Sequence, residues 1–209
     1  MRRAYLALEF SLLFVGLPFL LRYSPQKLPP LPVLWLTSGL CLVSLLRDPA
    51  FDRARLWNPA PLRENLGAIL APFLVGAAAL GAGVIYLAPQ LLFGFVRANP
   101  GLWALVMVLY PALSVYPQGL IYRAFLMHRY EPLFGLSWTI VVASAAAFGL
   151  MHVVFRNPVA PALTLAGGLL FAYRYRKTQS LFVSSFEHAL YGCFLFSIGL
   201  GGYFFARLI

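Results

Sequence analysis

The chain has 209 residues, of which 61% are hydrophobic and 11% charged, and its mean hydropathy is +0.80. A soluble domain carries about a quarter charged residues, so the composition excludes an ordinary soluble globule and points to helices that span a bilayer. The net charge of +10 would suit a nucleic-acid partner, but its pattern argues against one. The Lys and Arg residues lie between apolar segments, where basic side chains fix topology and meet anionic lipid headgroups.

Apolar segments run over 4–21, 31–46, 65–87, 101–130, 137–155, 159–173 and 180–206. They predict an all-α, polytopic transmembrane bundle of about seven helices, forming a single integral membrane domain over 1–209. The first segment follows Met1-Arg2-Arg3 and superficially resembles a signal peptide. No small-residue cleavage site follows, and Pro25, Pro29 and Pro30 lead into the second segment, so a retained helix is expected. Glu9 in the first helix is near enough to an end to snorkel. Cys41 and Cys193 lie in apolar runs and are expected to be small buried apolar residues rather than a disulfide or zinc site.

Basic residues set the expected orientation. With the N-terminus inside, the cytoplasmic set is Arg2, Arg3, Arg47, Arg53, Arg55, Arg63, Arg129, Arg174, Arg176 and Lys177. The outer set is Arg22, Lys27, Arg97, Arg156 and Arg207. The asymmetry predicts a cytoplasmic N-terminus and places the loops 47–64 and 174–179 on the cytoplasmic side.

Three polar clusters interrupt the later helices: Tyr116 to Arg123 in the fourth segment, Phe148 to His152 in the fifth, and Phe186 to Gly192 in the seventh. Counted from the loops that join these segments, Gln118, His152 and His188 lie roughly 18, 22 and 12 Å deep at 1.5 Å per residue. Depths this similar allow the clusters to meet in one intramembrane cavity. Ionisable groups are costly in lipid, so each is a functional candidate. Glu187 neighbours His188, but successive helical residues point about 100° apart. It is therefore expected to pair with Arg123 rather than share the site squarely, although it could substitute as a base. His128, near a helix end beside Arg129 and Tyr130, is expected to be an interfacial anchor. Gly167, Gly168, Gly199, Gly201 and Gly202 are expected to be close helix-packing points.

Taken together these clusters resemble the three motifs of the CAAX protease and bacteriocin-processing family of intramembrane proteases, relatives of the Ras-converting CAAX endopeptidase. That family carries Glu-Glu-x-x-x-Arg, Phe-x-x-x-His and His-x-x-x-Asn on separate helices. Arg123 matches the end of the first motif, Phe148 and His152 the second, and His188 the start of the third. The resemblance covers about residues 100–195. It implies a peptidase acting on a membrane-associated peptide or protein, with membrane lipid as the other partner, in a bacterial inner membrane. It also implies a site built from Gln118, Gly119, Arg123, His152 and His188.

The departures fall at the chemistry. Gln118 and Gly119 stand where the motif has glutamates, and Gly192 stands at the final Asn position. Peptide hydrolysis needs a base to take a proton from water, a contribution of roughly 10²–10⁴-fold. Gln118 can hold a water but cannot accept its proton. No cofactor is expected; a divalent metal would find only His152 and His188, whereas it normally takes three or four protein ligands. Two readings follow: an intramembrane endopeptidase impaired by the missing glutamates, or a non-catalytic relative that binds or regulates a membrane segment. A small transporter or lipid-handling protein is a third, resting only on a polar intramembrane cavity.

Overall fold

The computed structural model describes residues 2–24 and 29–204; Lys27 and Arg207 of the outer basic set, and the last residues of the 180–206 segment, lie outside them. Seven long helices carry the described chain: α1 (Arg2–Tyr23), α2 (Pro30–Arg47), α3 (Leu62–Leu87), α4 (Pro100–Arg129), α5 (Trp138–Phe155), α6 (Val159–Thr178) and α7 (Leu181–Ile198). All but α6 are long and apolar enough to cross a membrane. The last turns of α6 carry Arg174, Arg176 and Lys177, which dilute its apolarity. It nevertheless runs between the same two ends of the bundle. At its start Arg156 donates to the Arg22 carbonyl and Asn157 to that of Tyr203; near its finish Arg176 donates to the Leu136 carbonyl.

The predicted boundaries shift most at α7. Gly199 closes the helix in the left-handed region, with φ of +101°, and a Cβ there would collide with the Leu91 backbone. Only glycine satisfies both conditions, so α7 stops at Ile198 and Gly199 is a terminator as well as a close-packing point, against the Leu91 backbone. Gly202, by contrast, has no neighbour within 4 Å of a Cβ. Gly168 does pack closely: a Cβ there would lie 3.1 Å from the Ala145 Cα, which lets α5 and α6 approach each other.

Large apolar side chains point outward, as lipid-facing surfaces require. Leu74, Val75 and Val108 are 63%, 72% and 73% exposed. The interior is built around α4, whose residues from Leu120 to Met127 are all buried. This helix widens into five-residue turns twice, over Pro111–Val115 and Leu120–Phe125. Such wide turns occur where a regular ladder is interrupted and are common at functional positions.

Proline accounts for a further pattern. Inside a helix each proline frees the carbonyl four residues earlier, and in lipid such a carbonyl needs a partner. Pro72 frees that of Ala68, which accepts from Arg174 Nη2 of α6 at 2.7 Å. Pro117 frees that of Leu113, which accepts from Trp35 Nε1 of α2 at 3.1 Å. Pro111 frees that of Met107, which faces Cys193 Sγ of α7 at 4.0 Å. Three helix breaks are thus stitched to three different neighbours.

Ion pairs fix the ends. Arg129 at the end of α4 binds Glu9 of α1 through two bonds of 3.0 and 2.8 Å, and the Tyr130 hydroxyl donates to the same carboxylate at 2.9 Å. Glu9 is therefore a helix clamp rather than a snorkelling acid. His128, expected as an interfacial anchor, lies 2.9 Å from Asp48 and packs its ring on Phe51. Arg174, counted above among loop charges, is buried at 4% exposure and is no part of the surface charge.

Candidate active site

Arg123 sits in the second wide turn of α4, 1% exposed. Phe148 of α5 and Phe171 of α6 lie 4.8 and 5.2 Å from its guanidinium carbon, cation–π contacts that partly offset desolvation. Its Nη1 faces His188 Nδ1 at 3.5 Å. Its Nη2 is buried and has no hydrogen-bond partner among the described residues.

The two histidines bracket one ring. His152 lies 4.7 Å from Phe148 and His188 5.4 Å from it, centroid to centroid, so they are no farther apart than those distances together. His188 also stacks on Phe171 at 4.6 Å. Their hydrogen bonds assign opposite tautomers. His152 Nδ1 is 2.7 Å from the Phe148 carbonyl, an acceptor only, so Nδ1 carries the proton and Nε2 keeps its lone pair. His188 Nδ1 faces a guanidinium, which can only donate, so its proton belongs on Nε2. Between them the rings offer one acceptor and one donor, a pair that a bound water can use.

Gly119 joins this group and Gln118 does not. A Cβ built on Gly119 would lie 2.9 Å from Leu181 Cδ1, 3.1 Å from Ser185 Oγ and 3.4 Å from Arg123 Nη1. The position thus faces α7 and the arginine, but its space is already taken. Gln118, half-buried, donates from Nε2 to Ser114 Oγ at 2.7 Å, one turn back on its own helix.

The third motif position is filled as well. A side chain at Gly192 would run into the ring and hydroxyl of Tyr110, whose ring stands 6.4 Å from that of His188. Tyr110 therefore occupies the place an asparagine would take. Neither glycine leaves a hole.

Glu187 does not pair with Arg123. It is fully buried, and Arg174 grips it with Nε at 2.9 Å and Nη2 at 3.3 Å. Nη1 of the same arginine reaches Asn65 Oδ1 at 3.2 Å. Arg174 already comes inward to meet the carbonyl freed by Pro72, and it intercepts the carboxylate there. Arg174, Tyr110, Leu181 and Ser185 carry no motif signal. Only the unusual presence of Arg174 one turn inside a helix end could have singled it out.

The residues present do not suit a divalent metal. No three His, Cys, Asp or Glu side chains cluster among the described residues, and His188 Nδ1 faces a cation, the Arg123 guanidinium, at 3.5 Å.

Seven long helices, six of them long and apolar enough to cross a membrane, around a buried arginine and two histidines define the class, a polytopic integral membrane protein with a polar core. Residues 99–194 match the family model described as type II CAAX prenyl endopeptidase Rce1-like. That match supports membership of the CAAX protease family for this segment of the chain. Comparison with curated proteins and with solved structures gave no match.

Proposed function

We propose that this chain, as one integral membrane domain, receives a membrane-associated peptide at the Arg123–His152–His188 centre and cuts it slowly or not at all. The observation that carries this reading is the double filling. The arginine and histidines of the motifs are packed together, while the positions of the lost side chains are occupied by Leu181, Ser185 and Tyr110. His152 Nε2 and His188 Nε2–H can hold a water, the His188 N–H can donate to a substrate carbonyl, and the Arg123 charge can stabilise a developing oxyanion. A neutral imidazole, His152, is the remaining proton acceptor, and it replaces a carboxylate that a nearby arginine would have oriented.

The same filling favours the second reading, a non-catalytic protein that binds a membrane segment, because a repacked site is a settled one. Lipid and a peptide or protein segment are the proposed partners, and no cofactor is invoked. The proposed location is the bacterial inner membrane with the N-terminus cytoplasmic, supported by the grouping of basic residues at one end of the bundle.

Gly119→Glu alone would push against Leu181, so the test is the pair Gly119→Glu/Leu181→Ala. A carboxylate there would sit one turn from Arg123, where an i,i+4 ion pair forms. Assayed on membrane-anchored peptide libraries, the double variant should cut at least ~10²-fold faster than the present chain. Equal cleavage by both, together with loss of cleavage in Glu187→Gln, would transfer the role of base to Glu187. Binding of a peptide with no cleavage by either protein would establish the second reading.

A further inference from the structure

The centre holds two buried donors with nothing to donate to. Arg123 Nη2 and Ser185 Oγ both lack a partner among the described residues, and their residues are 1% and 8% exposed. They flank the same point, since a Cβ on Gly119 would lie 3.1 Å from Ser185 Oγ and 3.4 Å from the other Arg123 nitrogen. An unmade hydrogen bond on a buried charged group is among the more destabilising features a fold can carry. Phe148 and Phe171 interact with the guanidinium as aromatic rings, but they supply no acceptor for its N–H groups.

The chain's own acids do not supply one. Glu187 is held by Arg174, Glu9 by Arg129 and Tyr130, and Asp48 by His128. Asp52 caps Ala54, Glu64 lies in the first turn of α3, and Glu131 lies beyond the end of α4. These are the six acidic residues of the sequence.

We infer that the Arg123–Ser185 pair is a binding site for a carboxylate carried by a ligand from outside the chain. A carboxylate accepts two hydrogen bonds in one plane and neutralises a guanidinium, which matches this donor set. Leu181 Cδ1, the end of a branched side chain, is the group that must swing aside to admit it. The inference stands on the two donors and is independent of whether the centre cleaves peptides. A fatty acid of the bilayer and an acidic side chain of a docked membrane segment both present this chemistry.

The test uses the full chain in neutral detergent micelles, with unfolding followed by tryptophan fluorescence in sodium formate against sodium chloride at equal ionic strength. Formate at about five times its Kd should raise the midpoint by about 2–4 °C, saturably. The rise should persist or grow in Leu181→Ala and weaken at least several-fold in Ser185→Ala. It should vanish in Gly119→Glu/Leu181→Ala, which carries its own carboxylate. Palmitate in the micelle, and a hydrophobic peptide bearing one Glu compared with its Gln twin, then separate the two sources. An equal rise with chloride, a rise unchanged in both Ser185→Ala and the Glu-bearing variant, or no rise in either the present chain or Leu181→Ala would overturn the site.

Discussion

Replacing Glu187 by Gln leaves the Arg174 guanidinium against a neutral amide where no surface is open to water. Breaking one side of a buried pair leaves an uncompensated charge and costs about 3–5 kcal/mol. Glu187→Gln should therefore unfold at a markedly lower denaturant midpoint, while any residual cleavage falls only in proportion to folded protein. At the surface, Asp48 has its carboxyl held below the ordinary aspartate range, by the His128 contact first and the Ala50 amide second. A depressed folded-state value contributes stability above the unfolded one and loses it as pH falls through the folded one. Denaturation midpoints of the chain and of Asp48→Asn should thus differ at neutral pH and converge in acid, below the usual aspartate range. Much at this scale was legible in advance. Arg123, His152 and His188 declared themselves as ionisable groups in apolar runs at matching depth. The partner of Glu187 did not, because Arg174 sits among basic residues that look like a loop and only the fold turns it inward.

Among the elements, α3 and α4 show how proline and a neighbouring side chain form one unit. The carbonyl freed by Pro117 receives Trp35, and that freed by Pro72 receives Arg174. If each donor is present because of the break, removing the proline should make the donor less necessary. Trp35→Phe should destabilise the chain by about 0.6–1.7 kcal/mol, and by clearly less in a Pro117→Ala background, where the helix N–H takes up the Leu113 carbonyl. A double-mutant cycle measures the difference; strictly additive effects would separate the two residues. The prolines were visible in the sequence. What filled the breaks was not, since no local pattern relates residue 35 to 113 or 174 to 68. The end of α7 was misplaced for a comparable reason: an apolar run continues past Ile198, and the stop is made by Gly199 against the Leu91 backbone.

For the whole molecule, contacts sort the termini of the helices into two sets. Arg3 binds the Pro132 carbonyl, Arg176 that of Leu136, and Ser180 that of Asn58. This gathers the N-terminus and the 48–61, 130–137 and 179–180 connections at one end. Arg22 meets Arg156 at the other. In a Cys41→Ala/Cys193→Ser background, single cysteines at Arg55 and Lys177 should label with an impermeant maleimide only from the cytoplasmic face. Cysteines at Arg22 and Arg156 should label only from outside, and a shared face for Arg55 and Arg156 would overturn the topology. The arginine at the centre has a further effect on what can pass through this bundle. Arg174 and Glu187 cancel each other, but among the described residues Arg123 forms no ion pair of its own, so its charge sets a positive field in the core. A monovalent cation coming within 5 Å of it meets roughly 3 kcal/mol of repulsion at an effective dielectric of 20, a penalty of more than a hundredfold in occupancy. Arg123 thereby disfavours sodium, potassium and hydronium at the centre that it anchors.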